Sequence, residues 1–146
     1  QSGRFKEADA RAMGRTAAGT RAIRLKKGDE AVGMDVVGED KKDKQKEEYL
    51  MVLTENGYGK RTPLKEYRVQ SRGGSGIKTA NITAKTGSLV YAKVLQGNEE
   101  DLIVISRKGQ VIRTAIADVA KISRSTQGVR VMKLDDGDRV VSAASF

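Results

Sequence analysis

Residues 50–82 recur at residues 102–134 with a constant offset of 52 and no gap. Leu50 aligns with Leu102, Val52 with Val104, Gly57 with Gly109, and Arg61-Thr62 with Arg113-Thr114. Arg72 aligns with Arg124, Gly76 with Gly128 and Ile82 with Leu134. A truncated third copy lies upstream, where Arg15, Gly19, Leu25 and Gly28-Asp29 precede Arg124, Gly128, Leu134 and Gly137-Asp138 by 109 residues. Short apolar runs repeating at this period are the mark of radially arranged all-β units, because one such unit cannot bury its own faces and must stack on a neighbour.

Each full copy reads as four strands. Leu50 to Thr54 is short, apolar and β-branched at its centre, and Tyr58 to Thr62 returns after Glu55-Asn56-Gly57. Asn-Gly between two such runs predicts a tight hairpin of type I′. The same pair recurs as Leu102 to Ser106 and Gln110 to Thr114. A third strand follows Gly76 or Gly128; in residues 128–134 apolar and basic residues alternate with period two, which predicts one core face and one charged face. Arg139 to Ala143 is the fourth strand, after a turn at Asp135-Asp136-Gly137-Asp138. Short helical turns over Glu7 to Met13 and Ala115 to Ala120 link strands two and three. The expected division is an incomplete unit at 1–37, a charged loop at 38–48, mobile by its composition, and full units at 49–97 and 98–146.

Composition removes most chemistry. The 146 residues include no His and no Cys, so the usual general base, the usual thiol nucleophile and the usual zinc ligands are missing. No catalytic residue, metal site or cofactor is expected, and the Asp135–Asp138 cluster reads as a turn. No apolar run reaches the ~20 residues of a membrane span and no signal peptide is visible, so a cytoplasmic chain is expected. With 28 Lys+Arg against 19 Asp+Glu, the net charge is +9, which favours a polyanionic partner. Trp is absent and Phe and Tyr number two and four, too few for base stacking to dominate. Residues 49–97 are the most electropositive copy, at +6 against +3 for 1–37 and +1 for 98–146.

Three basic sets recur. The first lies between strands two and three: Arg15, Arg72 and Arg124, each four residues before a recurring Gly. In the middle copy this connector is Gln70-Ser71-Arg72-Gly73-Gly74-Ser75-Gly76. Its glycines permit close backbone approach, so Gly73 and Gly74 are candidates for cradling a phosphate that Arg72 would bind bidentately. The second set ends strand two: Arg4, Lys60-Arg61 and Arg113. The third opens strand three: Arg21, Lys78 and Arg130, each two residues past the Gly. Repetition along an arc makes the three sets a candidate polyanion-binding rim, although the pattern leaves open which face of strand three is buried.

Residues 55–62 (ENGYGKRT), 11–15 (RAMGR) and 125–130 (STQGVR) resemble the C-terminal domain of bacterial DNA gyrase A, and the resemblance covers essentially the whole chain. It implies a β-pinwheel, a propeller-like ring of four-stranded blades that exchange strands with their neighbours, of which this chain resembles the last blades. It also implies duplex DNA as partner, bound on the outer rim and bent, in support of negative supercoiling, with the rest of gyrase A and, through it, gyrase B as protein partners. The family's seven-residue box is Gln-basic-Arg-Gly-Gly-basic-Gly. Residues 70–76 keep its Gln, Arg and Gly positions but place Ser71 and Ser75 where it has basic residues, which implies weaker DNA contact.

The paralogous topoisomerase IV protein has related blades, and the stretch at 56–62 favours gyrase over it. A propeller fragment that docks an acidic protein is the competing class, and a small basic enzyme is the third. An incomplete ring would also leave an open strand edge, which predicts a free-standing arc or self-association through that edge.

Overall fold

The computed structural model describes residues 1–38 and 47–146; most of the expected charged loop at 38–48 lies outside them. Seven strands form two antiparallel sheets. They are β1 (Tyr49–Thr54), β2 (Tyr58–Pro63), β3 (Leu89–Leu95), β4 (Asp101–Ser106), β5 (Val111–Ala115), β6 (Val129–Arg130) and β7 (Val140–Ser145). One sheet has the order β3-β1-β2-β6 and the other β5-β4-β7. The all-β, propeller-like expectation therefore holds, with antiparallel pairing throughout both sheets.

The sheets are out of phase with the sequence repeat. β6 belongs to the last copy, yet it completes the middle copy's sheet, with Tyr58 opposite Arg130 and Gly59 opposite Val129. The middle copy's own third strand goes the other way: Ile77 forms an isolated bridge with Ser2 of the first copy. Strand exchange thus occurs at both joints. The regular part of each third strand is shorter than the alternation predicts, because only Val129–Arg130 follow a neighbour's edge before the chain turns inward at Met132, which is buried. Residues 1–38 contain no extended strand. The runs 19–25 and 31–37 lie largely exposed along the middle copy, held by Gly73 N–H to Ala22 O (2.8 Å), Arg24 N–H to Gly74 O (2.8 Å) and Val94 N–H to Asp35 Oδ2 (2.8 Å).

The hairpins are not type I′. No non-glycine residue has positive φ, and only Gly57 (φ 80°) and Gly109 (φ 87°) do so within the two loops. Gly57 N–H donates to Thr54 O (3.0 Å) and Gly109 N–H to Ser106 O (3.1 Å). Each loop is a type I-like turn closed by a left-handed glycine, the three-residue alternative to the predicted two-residue turn. The linking turns are 3₁₀ helices at Glu7–Asp9, Leu64–Glu66 and Ile116–Asp118, one per copy.

A core forms between the two sheets. Met51 and Leu53 of β1 pack against Leu102 and Val104 of β4, with Leu95, Ile116, Val119, Met132 and Val140 around them. Burial of such side chains contributes ~1.5–3 kcal/mol each. A smaller cluster of Leu64, Tyr67 and Val94, with Val37, Leu50 and Ile77, joins the first copy to the middle one. β1 is consequently buried on both faces from Met51 to Thr54. β4 alternates, and its other face leaves Ile105 and, opposite it on β5, Val111 exposed. β3 and β7 approach each other, with Tyr91 Oη 3.1 Å from Ser145 Oγ and Lys93 Nζ donating to Ser145 O (3.2 Å). Those edges are therefore the inner ones, and β6, at the far side of its sheet, lies on the outer edge.

Candidate nucleic-acid interface

The recurring arginines separate by what they hold. The strand-two arginine of each of the first two copies reaches forward to the next copy's 3₁₀ turn. Arg4 donates from Nη1 to Leu64 O (3.2 Å) and Tyr67 O (3.3 Å). Arg61 donates from Nε to Val119 O (2.9 Å) and from Nη2 to Ala117 O (3.1 Å), with its guanidinium 5.3 Å from the Tyr49 ring centroid. Arg113 aligns with Arg61, but it turns instead to an ion pair with Asp101 and lies 5.9 Å from the Phe146 ring.

The connector arginine reaches backward. Arg72 donates from Nε to Asp9 O (2.9 Å) and from Nη1 to Arg21 O (2.7 Å). Arg124 donates from Nη1 to Lys78 O (3.1 Å), and its Nε lies 4.0 Å from Glu66 Oε2. Arg21 and Lys78 are equivalent positions, as are Asp9 and Glu66 at the ends of their 3₁₀ turns. The Nη1 bond to the carbonyl of the third-set residue is built twice; the Nε bond to the end of the 3₁₀ turn is made by Arg72 alone, since Arg124 Nε has no hydrogen-bond partner among the described residues. Arg15, the first copy's equivalent, is exposed.

The recurring glycine has the same explanation. Gly76 and Gly128 have φ of 71° and 88°, and a Cβ would lie 2.6 Å from Ser2 O and 2.8 Å from Gly59 O, carbonyls of the preceding copy's strand two. In the connector, Gly73 is also left-handed (φ 78°) and its N–H is taken by Ala22 O. Gly74 is exposed, with its carbonyl held by Arg24 N–H. The phosphate cradle expected at Gly73 and Gly74 is thus partly occupied by the joint itself.

Lys60 departs furthest from its expected place on the rim. It is 1% exposed, and its ammonium donates to Ser123 O (2.8 Å), Arg124 O (2.6 Å), Thr126 O (3.0 Å) and Thr126 Oγ1 (3.2 Å). Burial pushes its pKa down to about 8, with Arg124 and Lys78 adding to the shift and Glu66 opposing it. Gly3 and Ile112 occupy the equivalent positions, so this pin exists at one joint only.

The third set behaves differently. Arg21, Lys78 and Arg130 are exposed in every copy; Arg130 lies in β6, and Arg21 and Lys78 hold the equivalent positions in extended chain. Lys78 Nζ donates to Asn81 Oδ1 (2.9 Å). Arg130 donates from Nη2 to Tyr58 Oη (3.2 Å) and its guanidinium lies 5.7 Å from that ring. Lys85 stands 5.5 Å from the same ring, so two cations flank one nearly buried aromatic; Arg130 draws the phenol pKa below its usual value. Recurrence gave no sign of Lys85, which aligns with Gly28 and Gly137. It could have found Arg24 and Lys133, exposed and equivalent, with Asn81 between them. The free cations are densest in residues 1–37, where Lys6, Arg11, Arg15, Arg21, Arg24, Lys26 and Lys27 are exposed. The middle copy, highest in net charge, has several of its cations tied to carbonyls or acids. Among the described residues, no helix is long and apolar enough to cross a membrane.

Antiparallel sheets that recur along the chain and take a strand from the neighbouring copy define a propeller-like, blade-exchanging protein. The family model described as "DNA gyrase C-terminal domain, beta-propeller" matches residues 4–38, 48–96 and 100–146, one match per repeat, and the chain belongs to that family. It is 48% identical over 141 residues to the DNA gyrase A protein of Staphylococcus epidermidis and 45% identical over 142 residues to that of Staphylococcus aureus. Each alignment takes in 97% of this chain and 15% of the relative, so the chain spans about 15% of the length of these proteins. A solved DNA gyrase A C-terminal domain superposes with a TM-score of 0.77 at 26% identity, covering 97% of this chain and 46% of that one. The C-terminal domain of DNA topoisomerase IV shares the fold, with a TM-score of 0.84 at 22% identity over 97% of this chain and 42% of that one.

Proposed function

We propose that the chain is a non-catalytic, DNA-binding part of a gyrase A protein, which bends duplex DNA along its outer edge. The observation that carries this reading is the exposure of Arg21, Lys78 and Arg130, one cation at the equivalent position of each copy. Cations spaced along an arc neutralise successive phosphates and release counterions with little base readout. Bending 20–30 base pairs by 40–90° costs on the order of 1–6 kcal/mol, so several such contacts must act together. Within the whole enzyme, the bent DNA would be handed to the remainder of gyrase A and its partner gyrase B.

The test is a fluorescence-reported bend of a short duplex, titrated with salt. Wild-type protein is expected to bend the duplex and to lose affinity linearly in log salt. Replacing Arg21, Lys78 and Arg130 with Ala should lower that slope by roughly 0.9 for each phosphate no longer neutralised. Binding without bending would favour an acidic-partner scaffold, and an unchanged slope in the triple variant would move the DNA path elsewhere.

A further inference from the structure

We propose that Lys60 and the connector arginines Arg72 and Arg124 are positioning residues, which set the angle between consecutive blades and hence the curvature of the bound DNA. This rests on the DNA-bending reading above. Arg72 and Arg124 each donate from Nη1 to the equivalent carbonyl of the preceding copy, and Arg72 adds a bond from Nε to the end of that copy's 3₁₀ turn, where Arg124 has the Glu66 carboxylate 4.0 Å away. Those carbonyls belong to Arg21 and Lys78. Each guanidinium therefore fixes the backbone from which an exposed cation projects. The planar fork holds each guanidinium in a fixed direction once Nη1 is bonded to that carbonyl.

The two joints are unequal. Between the middle and last copies, Lys60 ties three carbonyls of residues 123–126, Thr62 Oγ1 donates to Ile122 O (2.8 Å), and β2 pairs with β6 over two residues. Between the first and middle copies, Gly3 replaces the lysine, the pairing is the single Ser2–Ile77 bridge, and the connector contains Gly73 and Gly74. The ring is stiff at the Lys60 joint and compliant at the other. DNA curvature is then fixed across the last two copies and adjustable across the first two.

The experiment uses the full chain, which has no native cysteine to interfere with labelling. Spin labels at exposed Ala84 and Ser142 report the middle-to-last angle as a distance distribution without DNA; the same variants are then assayed for duplex bend and salt slope. Lys60→Met is expected to widen the distribution at least twofold and to change the bend, with the salt slope unchanged. Arg124→Lys keeps the charge but lacks the planar fork that sets Nη1 on Lys78 O. It should have the same effect in smaller measure, and it serves if Lys60→Met fails to fold. An unchanged distribution in both variants overturns the proposal. So does a slope that falls by about one in Lys60→Met with the distribution intact, since that marks a phosphate contact. Failure of the wild type to bend DNA would refute the functional reading, while the distance distribution would still decide the joint.

Discussion

Gly109 and Gly128 have nearly the same backbone conformation, φ 87° and 88°, in different surroundings. A Cβ on Gly109 would meet nothing within 4 Å, whereas one on Gly128 would lie 2.8 Å from Gly59 O and 3.1 Å from Gly59 C. Gly109→Ala therefore carries only the left-handed penalty for an L-residue, about 1–2 kcal/mol. Gly128→Ala carries the same penalty and must also push β6 away from β2 by about half an ångström, toward the usual range of contact. That movement strains the Tyr58–Arg130 and Gly59–Val129 pairing and the Val131 N–H to Gly57 O bond (2.8 Å). Overpacking and a weakened hydrogen bond together add about 1–3 kcal/mol. For a chain of this size the extra loss lowers the melting temperature by roughly 3–10 °C beyond the Gly109→Ala variant. Reversible thermal melts of the two variants, with urea melts as a check, measure the difference. Equal melting temperatures would show that the recurring glycine answers only to turn conformation, and the interblade explanation of its recurrence would be wrong.

Replacing Arg72 and Arg124 together with Ala should leave the slope of log affinity against log salt within error of the wild type while altering the bend; a drop of about two in slope would return them to the DNA contact surface. Lys60 binds fewer protons folded than unfolded between pH 8 and its ordinary 10.5, so its contribution to stability is greatest above 10.5 and is lost as pH falls through 8. Wild type should accordingly gain stability relative to Lys60→Met between pH 7.5 and 9.5, and a relative loss in melts at those two values would show that the acceptors around the ammonium outweigh its burial and would contradict the lowered pKa. Glu47 is drawn down to about 2 by Lys121, the Tyr49 hydroxyl and Lys65. Its contribution is present above pH 4.5 and is lost as pH falls through 2, so the deficit of Glu47→Gln should be seen at pH 6 and vanish near pH 2. The pairs are exposed, so 1 M salt should also shrink that deficit, and a salt-independent deficit would argue against ion pairing.

The strands of the two full copies were legible because their pattern is local. The Leu50 and Leu102 runs and the loops at Gly57 and Gly109 follow from apolar spacing and turn residues and form within a residue or two of the expected bounds, whereas the turn expected at Glu7 to Met13 ends at Asp9 and the one at Leu64–Glu66 was not expected. What sequence did not determine was the partner of each third strand. β6 completes a sheet that its own repeat did not start, and no residue in 128–134 announces this. The first copy was legible as a repeat but not as strands. Its regular hydrogen bonding depends on edges that residues 1–38 do not themselves provide, so runs that alternate like strands lie as extended chain along the middle copy.

The basic sets show why recurrence is an ambiguous signal in a repeat protein. A residue can recur because every copy meets the same ligand, or because every copy meets the next copy. Alignment weighs the two alike. The geometry divides them by asking whether equivalent side chains have equivalent partners inside the chain. Arg4 and Arg61 share one equivalent carbonyl, Tyr67 O and Val119 O, and Arg72 and Arg124 share another, Arg21 O and Lys78 O. Arg21, Lys78 and Arg130 recur without a shared internal partner, and all three face solvent. A set that recurs with no common intramolecular contact is the one left for a ligand that runs along the arc. The same reasoning explains the excess of positive charge without assigning all of it to DNA. Part of the cationic charge closes the joints, where it satisfies carbonyls at connectors too irregular to pair in a sheet, and the remainder, Arg21, Lys78 and Arg130 with Lys85 and the exposed cations of residues 1–37, is the part left to the DNA contact proposed above.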